Sequence, residues 1–203
     1  MDGVSMQYQK TIEAEEMEKL PIYLFKGEVE VIDKLGQVDQ AVADLLTCPA
    51  IGFDTETRPS FAKGVVHSVG LMQLATDSRV YLFRLNKCGL PPSLQQLLAR
   101  EDVIKVGVGI RDDIRALRRV ADFTPAAFID LQRFARAFGI EEMSFSKLMS
   151  IIFQVRISKR QRTSNWDVPV LTKAQVYYAA TDAWGSLKMY QALKSEEKNL
   201  STR

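Results

Sequence analysis

The segment that most limits what this chain can fold into is Ala50-Ile-Gly-Phe-Asp-Thr-Glu56, an apolar run that ends abruptly in acidic residues. A short apolar stretch set between Pro49 and a charged cluster reads as a buried strand. The two-residue period of a strand turns Asp54 and Glu56 to the same face. Two like charges that converge there either point into water as loop residues or share a cation. A hard divalent ion such as Mg²⁺ takes oxygen ligands of this kind, and without it each carboxylate raises the pKa of the other.

The surrounding pattern fits one α/β domain. Ile22 to Phe25 and Val29 to Ile32 look extended, and Gln37 to Leu46 carries apolar residues at helical spacing. Val65 to Ala75 and Arg79 to Leu85 read as two strands joined through Thr76-Asp77-Ser78, a hairpin. Pro91-Pro92 opens a helix, Val103 to Gly107 is a strand, and Asp112 to Val120 is a helix. Ala127 to Asp130 reads as a further strand, with helices over Leu131 to Phe138, Ser146 to Phe153 and Lys173 to about Leu193. The economical architecture is a three-layer α/β fold with a mixed central sheet, its first strands antiparallel and its last parallel, flanked by helices. The expected division is an acidic N-terminal arm at 1–21, a domain at 22–195 and a polar tail at 196–203.

Composition narrows the chemistry. Twenty-seven basic against 25 acidic residues leave a net charge of +2, so any polyanion contact depends on where the charge sits. Two cysteines, Cys48 and Cys88, supply neither a disulfide framework nor a thiolate zinc site, and the single histidine, His67, excludes a site that needs two imidazoles. Oxygen chemistry remains. No run approaches the roughly 18 apolar residues of a membrane span, and the acidic N-terminus is unlike a presequence. The expectation is an intracellular protein without a membrane partner, cytoplasmic or, in a eukaryote, nuclear.

Two more motifs carry acids. In Gly107-Val-Gly-Ile-Arg-Asp-Asp113, a strand runs into a helix through two glycines, and either Asp112 or Asp113 suits a helix cap or a ligand position. The third glycine of a dinucleotide fingerprint is missing. Tyr178 and Asp182 stand four apart on the last helix and share a face, among the small residues Ala179, Ala180 and Ala183 that permit close packing on a sheet. Taken alone, Tyr178 reads as core and Asp182 as a surface charge.

Together, Phe53-Asp-Thr-Glu56, Gly107 to Asp113 and Tyr178-Ala-Ala-Thr-Asp182 resemble the DEDD exonuclease superfamily in its DEDDy branch. The connecting text, Arg58 to Gly64, Val69 to Leu74 and Ser164-Asn-Trp-Asp167, is similar to Werner-syndrome-type exonuclease domains and, less closely, to RNase D. The resemblance covers about residues 25 to 195. It implies an RNase H-like fold and hydrolysis of nucleotides from the 3′ end of DNA or RNA with two divalent ions, Mg²⁺ or Mn²⁺. Carried over, Asp54, Glu56 and Asp182 would hold one ion, Asp54 and Asp113 the other, and Tyr178 would position the attacking water. The family's spacing from the second glycine selects Asp113 over Asp112. Expected partners are a nucleic acid with a free 3′ end and a helicase or repair protein in trans.

Substrate contacts are expected from a basic stretch. Between Met143 and Trp166 stand Lys147, Arg156, Lys159, Arg160 and Arg162 without an acid, a field suited to phosphates. Phe61 offers a ring for a terminal base. Asn165 and Trp166 are further candidate substrate contacts, with backbone bonding by Asn165 and packing of the loop by Trp166 as the alternative. Arg111, Arg115, Arg118 and Arg119 read as a solvated helix face.

Overall fold

The computed structural model describes residues 8–60, 62 and 64–201, with side chains through residue 197. A short helix α1 (Ala14–Glu18) precedes strands β1 (Ile22–Tyr23) and β2 (Glu28–Ile32) and helix α2 (Leu35–Leu45). Strands β3 (Ala50–Thr57), β4 (Val69–Ala75) and β5 (Arg79–Phe83) follow, then helices α3 (Leu85–Cys88) and α4 (Pro92–Ala99). Strand β6 (Ile104–Gly107), helix α5 (Arg111–Val120), strand β7 (Phe128–Asp130) and helix α6 (Leu131–Phe134) form the next stretch. The chain closes with a 3₁₀ turn (Ala135–Phe138), helix α7 (Phe145–Phe153), strand β8 (Arg156–Ile157) and helix α8 (Lys173–Ser201).

Six strands make one mixed sheet in the order β2-β5-β4-β3-β6-β7. Its centre, β3-β4-β5, is antiparallel, and β6 and β7 add in parallel on one side. On the other side β2 pairs in parallel with β5, so the antiparallel region lies in the middle of the sheet rather than at its start. Ile51 and Phe53 point into a core built with α2, α4 and α5, including Val38, Leu45, Leu94 and Leu117. The opposite face is covered by α7 and α8, which makes the expected third layer.

The alternation along β3 explains how α8 reaches it. Gly52 shares a face with Asp54 and Glu56, and a Cβ at Gly52 would stand 1.9 Å from the Ala183 carbonyl oxygen. Only a bare backbone leaves room for the helix, and the adjoining Ala179, Ala180 and Ala183 are fully buried. The carboxylate-bearing strand and helix therefore meet with almost nothing between them.

Several boundaries differ from the sequence expectation. Strand β4 begins at Val69, which puts the half-buried His67 in a loop rather than in a strand. Residues 8–20 pack on the body: Ile12 is 1% exposed and joins a core with Leu148, Met189 and Leu193. Helix α8 runs on to Ser201, past the expected limit at 195. Strand β1 lies outside the main sheet and pairs with β8, which places Arg156 of the basic stretch in a strand.

Substituting Gly52→Ala is expected to destabilise the fold by about 1 to 3 kcal/mol, because the added methyl must push α8 off β3. A urea titration checks it, as a lower midpoint with an unchanged slope.

Candidate active site

The three sequence motifs converge on one cleft of about 490 Å³, whose wall includes Asp54, Glu56, Gly109, Tyr178 and Asp182. Strand β3 delivers Asp54 and Glu56 side by side, and the register of β3 against β4 shifts just after Glu56. Such a bulge re-aims the residues beside it. Helix α8 brings in Asp182 from above the strand. Carboxylate oxygens of Asp54, Glu56 and Asp182 lie within 4.8 Å of one another.

Asp113 enters from α5 at the edge of this group and is not among those three. Its carboxylate accepts a short hydrogen bond from the Thr55 hydroxyl, so β3 fixes it from the opposite side of the strand. Asp112 is exposed and pairs with Arg115 at 2.8 Å. Neither residue caps α5: the cap position belongs to Ile110, and both acids sit in the first turn, where negative charge favours the helix dipole. The geometry thus separates two residues that the sequence left adjacent, one held against Thr55 of β3 and one facing water.

The electrostatics are those of crowded acids. Burial, then the charges of Asp182 and Asp113, push Glu56 up to about 9, with Arg162 pulling in the other direction. Burial pushes Asp182 up to about 7 against the opposing influence of the Tyr178 phenol. Asp54 is raised well above the usual carboxylate range by burial and by its three acidic neighbours. Asp113 is raised by burial, with the Thr55 contact opposing. Burial and the same carboxylates keep the Tyr178 phenol protonated.

A divalent cation fits this set. Asp182 Oδ1 is buried with no hydrogen-bond partner, an oxygen with a full lone pair and nothing to receive it. Clustered carboxylates, one of them unpartnered, are the donor set of a hard cation, and the ion's charge would offset the burial and repulsion that raise these pKa values.

The expected substrate contacts divide. Lys159 and Arg162 line the cleft. Arg160 lines an adjoining groove instead. Lys147 is neutralised by Glu142 at 2.7 Å, an acid that stands just outside the stretch read as free of them. The Arg156 guanidinium donates to the Leu20 carbonyl at 3.0 Å. Three of the five bases are left for a polyanion. Trp166 requires a correction: it is 0% exposed, so it cannot touch substrate, and its ring packs 6.1 Å from that of Tyr178. Asn165 is exposed and its side chain accepts from the Asp167 amide, the local backbone bond expected of it. Phe61 lies outside the described residues.

Sequence reasoning missed three supports. Thr55 was passed over between two acids, although its hydroxyl anchors Asp113. Asp130 Oδ1 accepts from both Gly109 N at 2.9 Å and Gln132 N at 3.0 Å, tying the glycine turn to the start of α6. Its position just before a helix was the available signal. Gln73 stands across from Asp54 on β4, fully buried, with neither amide atom paired.

A mixed sheet with carboxylates gathered between its central strand and its last helix is the arrangement of RNase H-like exonucleases. The EXO domain of Nibbler from Aedes aegypti has this fold, with a TM-score of 0.78 and 25% identity over 89% of this chain and 93% of that one. RNase D from Escherichia coli shares the fold at a TM-score of 0.77 and 22% identity, over 85% of this chain and 46% of that one. Residues 29–198 match the family described as 3′-5′ exonuclease, and the chain belongs to that family. It is 33% identical over 150 residues to a 3′-5′ exonuclease of Arabidopsis thaliana, covering 71% of this chain and 52% of the relative. It is 34% identical over 149 residues to the bifunctional 3′-5′ exonuclease/ATP-dependent helicase WRN of Mus musculus, covering 70% of this chain and 11% of the relative. The chain therefore spans about half, or much less, of these relatives' lengths.

The raised pKa values set a sign for metal-free stability. A carboxyl whose folded pKa exceeds its unfolded one binds more protons when folded, so stability falls as pH rises between the two values. For Asp182 that window runs from the ordinary aspartate value of 3.8 to about 7. In the presence of a chelator, Asp182→Asn is expected to melt close to the wild type near pH 4 and at least about 3 °C above it at pH 8. Thermal melts across that range test this; a variant less stable than wild type at pH 8 counts against a cost of burying the Asp182 charge.

Proposed function

We propose that this chain is a metal-dependent 3′ to 5′ exonuclease that removes nucleotides from the 3′ end of DNA or RNA. The observation that carries the reading is the cluster of Asp54, Glu56 and Asp182 oxygens within 4.8 Å in a cleft shared with Tyr178, Lys159 and Arg162. Membership of the 3′-5′ exonuclease family gives the reaction and the polarity. The catalytic unit is residues 22–195, with 1–21 as an arm, of which residues 8–20 pack against it, and 196–203 as a polar tail.

Asp54, Glu56 and Asp182 would hold one Mg²⁺ or Mn²⁺, and Asp54 with Asp113 a second. Bound there, such ions neutralise the carboxylates and supply Lewis acidity to a phosphodiester. The chain's own groups do the rest. The Tyr178 phenol, held in its O–H form, donates a hydrogen bond into the cleft and orients the attacking water. Lys159 and Arg162 offset the negative charge of the phosphate at the mouth of the cleft. Asp130, through Gly109, and Thr55, through Asp113, keep the far wall in register. Trp166 lies beneath the ring of Tyr178 and fixes its direction. A free nucleic-acid end is the partner this arrangement accepts, and a helicase or repair protein acting in trans is a second partner in this reading, in keeping with one relative that joins exonuclease and helicase in one chain.

Digestion of 5′-labelled DNA and matched RNA with Mg²⁺ or Mn²⁺ tests the reading. The expected outcome is a ladder that shortens from the 3′ end, is abolished by chelator, and falls at least about 10³-fold in Asp54→Asn. Tyr178→Phe is expected to lose about 10- to 100-fold in kcat while the melting temperature holds, since it removes an orienting hydrogen bond worth a few kcal/mol at most. Undiminished turnover in Asp54→Asn, or binding of both polymers without cleavage, removes the proposal and leaves a silent binding module.

A further inference from the structure

Beside the acidic cleft lies a second chamber of about 440 Å³, formed by Ile22 and Leu24 of the N-terminal segment, Tyr177 and Lys173 of α8, and Arg160 of the basic stretch. Both chambers are lined by Ile157, Ser158 and Tyr178, so they meet along a common rim. Resting on the exonuclease reading, we propose that this chamber is the stacking site for the base of the penultimate nucleotide, next to the one being removed.

Four observations carry it. The first is continuity: a strand whose terminal nucleotide fills the acidic cleft needs only to cross the Tyr178 rim to reach the chamber. The second is chemistry: the walls offer the Tyr177 ring and the apolar side chains of Ile22 and Leu24, which are 60% and 42% exposed although large and hydrophobic. Exposed apolar groups beside a ring form a platform for a base face of any sequence. Third, Arg160 and Lys173 stand on that wall as exposed cations, placed for the phosphates on either side of the base.

Fourth, the wall is held in place. The Arg156 amide donates to the Pro21 carbonyl at 2.9 Å and its guanidinium to the Leu20 carbonyl at 3.0 Å. On the other side, the Phe25 amide donates to the Thr181 hydroxyl at 3.0 Å. Residues 20 to 25 are thereby clamped between β8 and α8 on both edges. The clamp lies upstream of residue 29, where the family match begins.

The neighbouring concavities are less suited. The groove at Ile114, Phe128 and Phe134 shares no lining residue with the acidic cleft and carries the Asp130 carboxylate. The depression at Met17 and Ile22 does share Ile157 to Lys159, but it holds Glu18 and no aromatic ring.

The test pairs the base with the ring. Kinetics are measured on a 5′-labelled oligothymidylate and on the same oligomer with an abasic residue at the penultimate position, using wild type, Tyr177→Ala, Tyr177→Phe and Leu24→Ala. For wild type, loss of the penultimate base is expected to raise KM about ten-fold. Tyr177→Ala is expected to show that same rise on the intact oligomer and little further change on the abasic one, as two cuts in one interaction do. Tyr177→Phe, which keeps the ring, is expected to behave as wild type, and Leu24→Ala to follow Tyr177→Ala more weakly. If the effects of the missing base and the missing ring multiply, or if wild type ignores the abasic residue, the chamber is not the stacking site. Should Tyr177→Ala fail to fold, the same comparison in Leu24→Ala decides. No cleavage of either oligomer by wild type would instead mean that the exonuclease reading itself has failed.

Discussion

The site depends on the contact between the bare backbone of Gly52 and the carbonyl of Ala183. A side chain of any size at position 52 would hold α8 away from β3. Asp182 sits one residue before that contact on the helix, and Asp54 two residues after it on the strand, so the meeting point fixes how close their carboxylates come. Close-packed interiors transmit a shift of this sort almost undamped. The string of alanines on α8 and the glycine on β3 are thus the means by which a strand and a helix distant in sequence form one set of ligands.

That approach carries a cost that the fold alone does not repay. Four carboxylates are drawn out of water toward one another, and every one of them is displaced toward its protonated form. Within the described residues the countercharge is modest: Arg162 acts on Glu56, and the Thr55 hydroxyl on Asp113. A chain optimised for stability would place apolar groups here. Retention of an arrangement that favours binding a cation over folding without one is the mark of a site whose geometry is held ready in advance. The unpartnered Asp182 oxygen belongs to the same logic, since a hydrogen bond made by the protein would compete with the ion for it.

How much of this was legible in the sequence depended on the length scale of the signal. Asp54 and Glu56 could be paired from the strand period alone, and Tyr178 with Asp182 from the helical one, because both relations are local. That the two pairs face each other came only from the family resemblance, since no periodicity reports a contact across more than a hundred residues. The choice of Asp113 over Asp112 likewise required the pattern, and the Thr55 hydroxyl that secures it left no trace in spacing. The basic stretch failed in an instructive way. Counting charges between Met143 and Trp166 gave five free cations, but Glu142 takes Lys147 and a backbone carbonyl takes Arg156. A window of sequence has edges that a folded surface does not share.

The fate of Arg156 also explains why the N-terminal segment matters to a cleft it does not line. The 19-residue connection from α7 to α8, residues 154 to 172, holds both cleft cations, and a loop of that length has considerable freedom unless tied down. It is tied at Arg156 and Ile157, which pair with Ile22 and Tyr23, and at its far end by the Gln175 side chain, which donates to the Asn165 carbonyl at 3.1 Å. Lys159 and Arg162 hang between these two anchors. The N-terminal segment is in turn held by Thr181, one residue before Asp182 on the same helix. The chain of contacts therefore closes on itself: the helix that supplies a carboxylate also fixes the strand that fixes the loop that faces that carboxylate. The basic side chains and the carboxylates of the cleft are thus both positioned through α8 and its contact with β3.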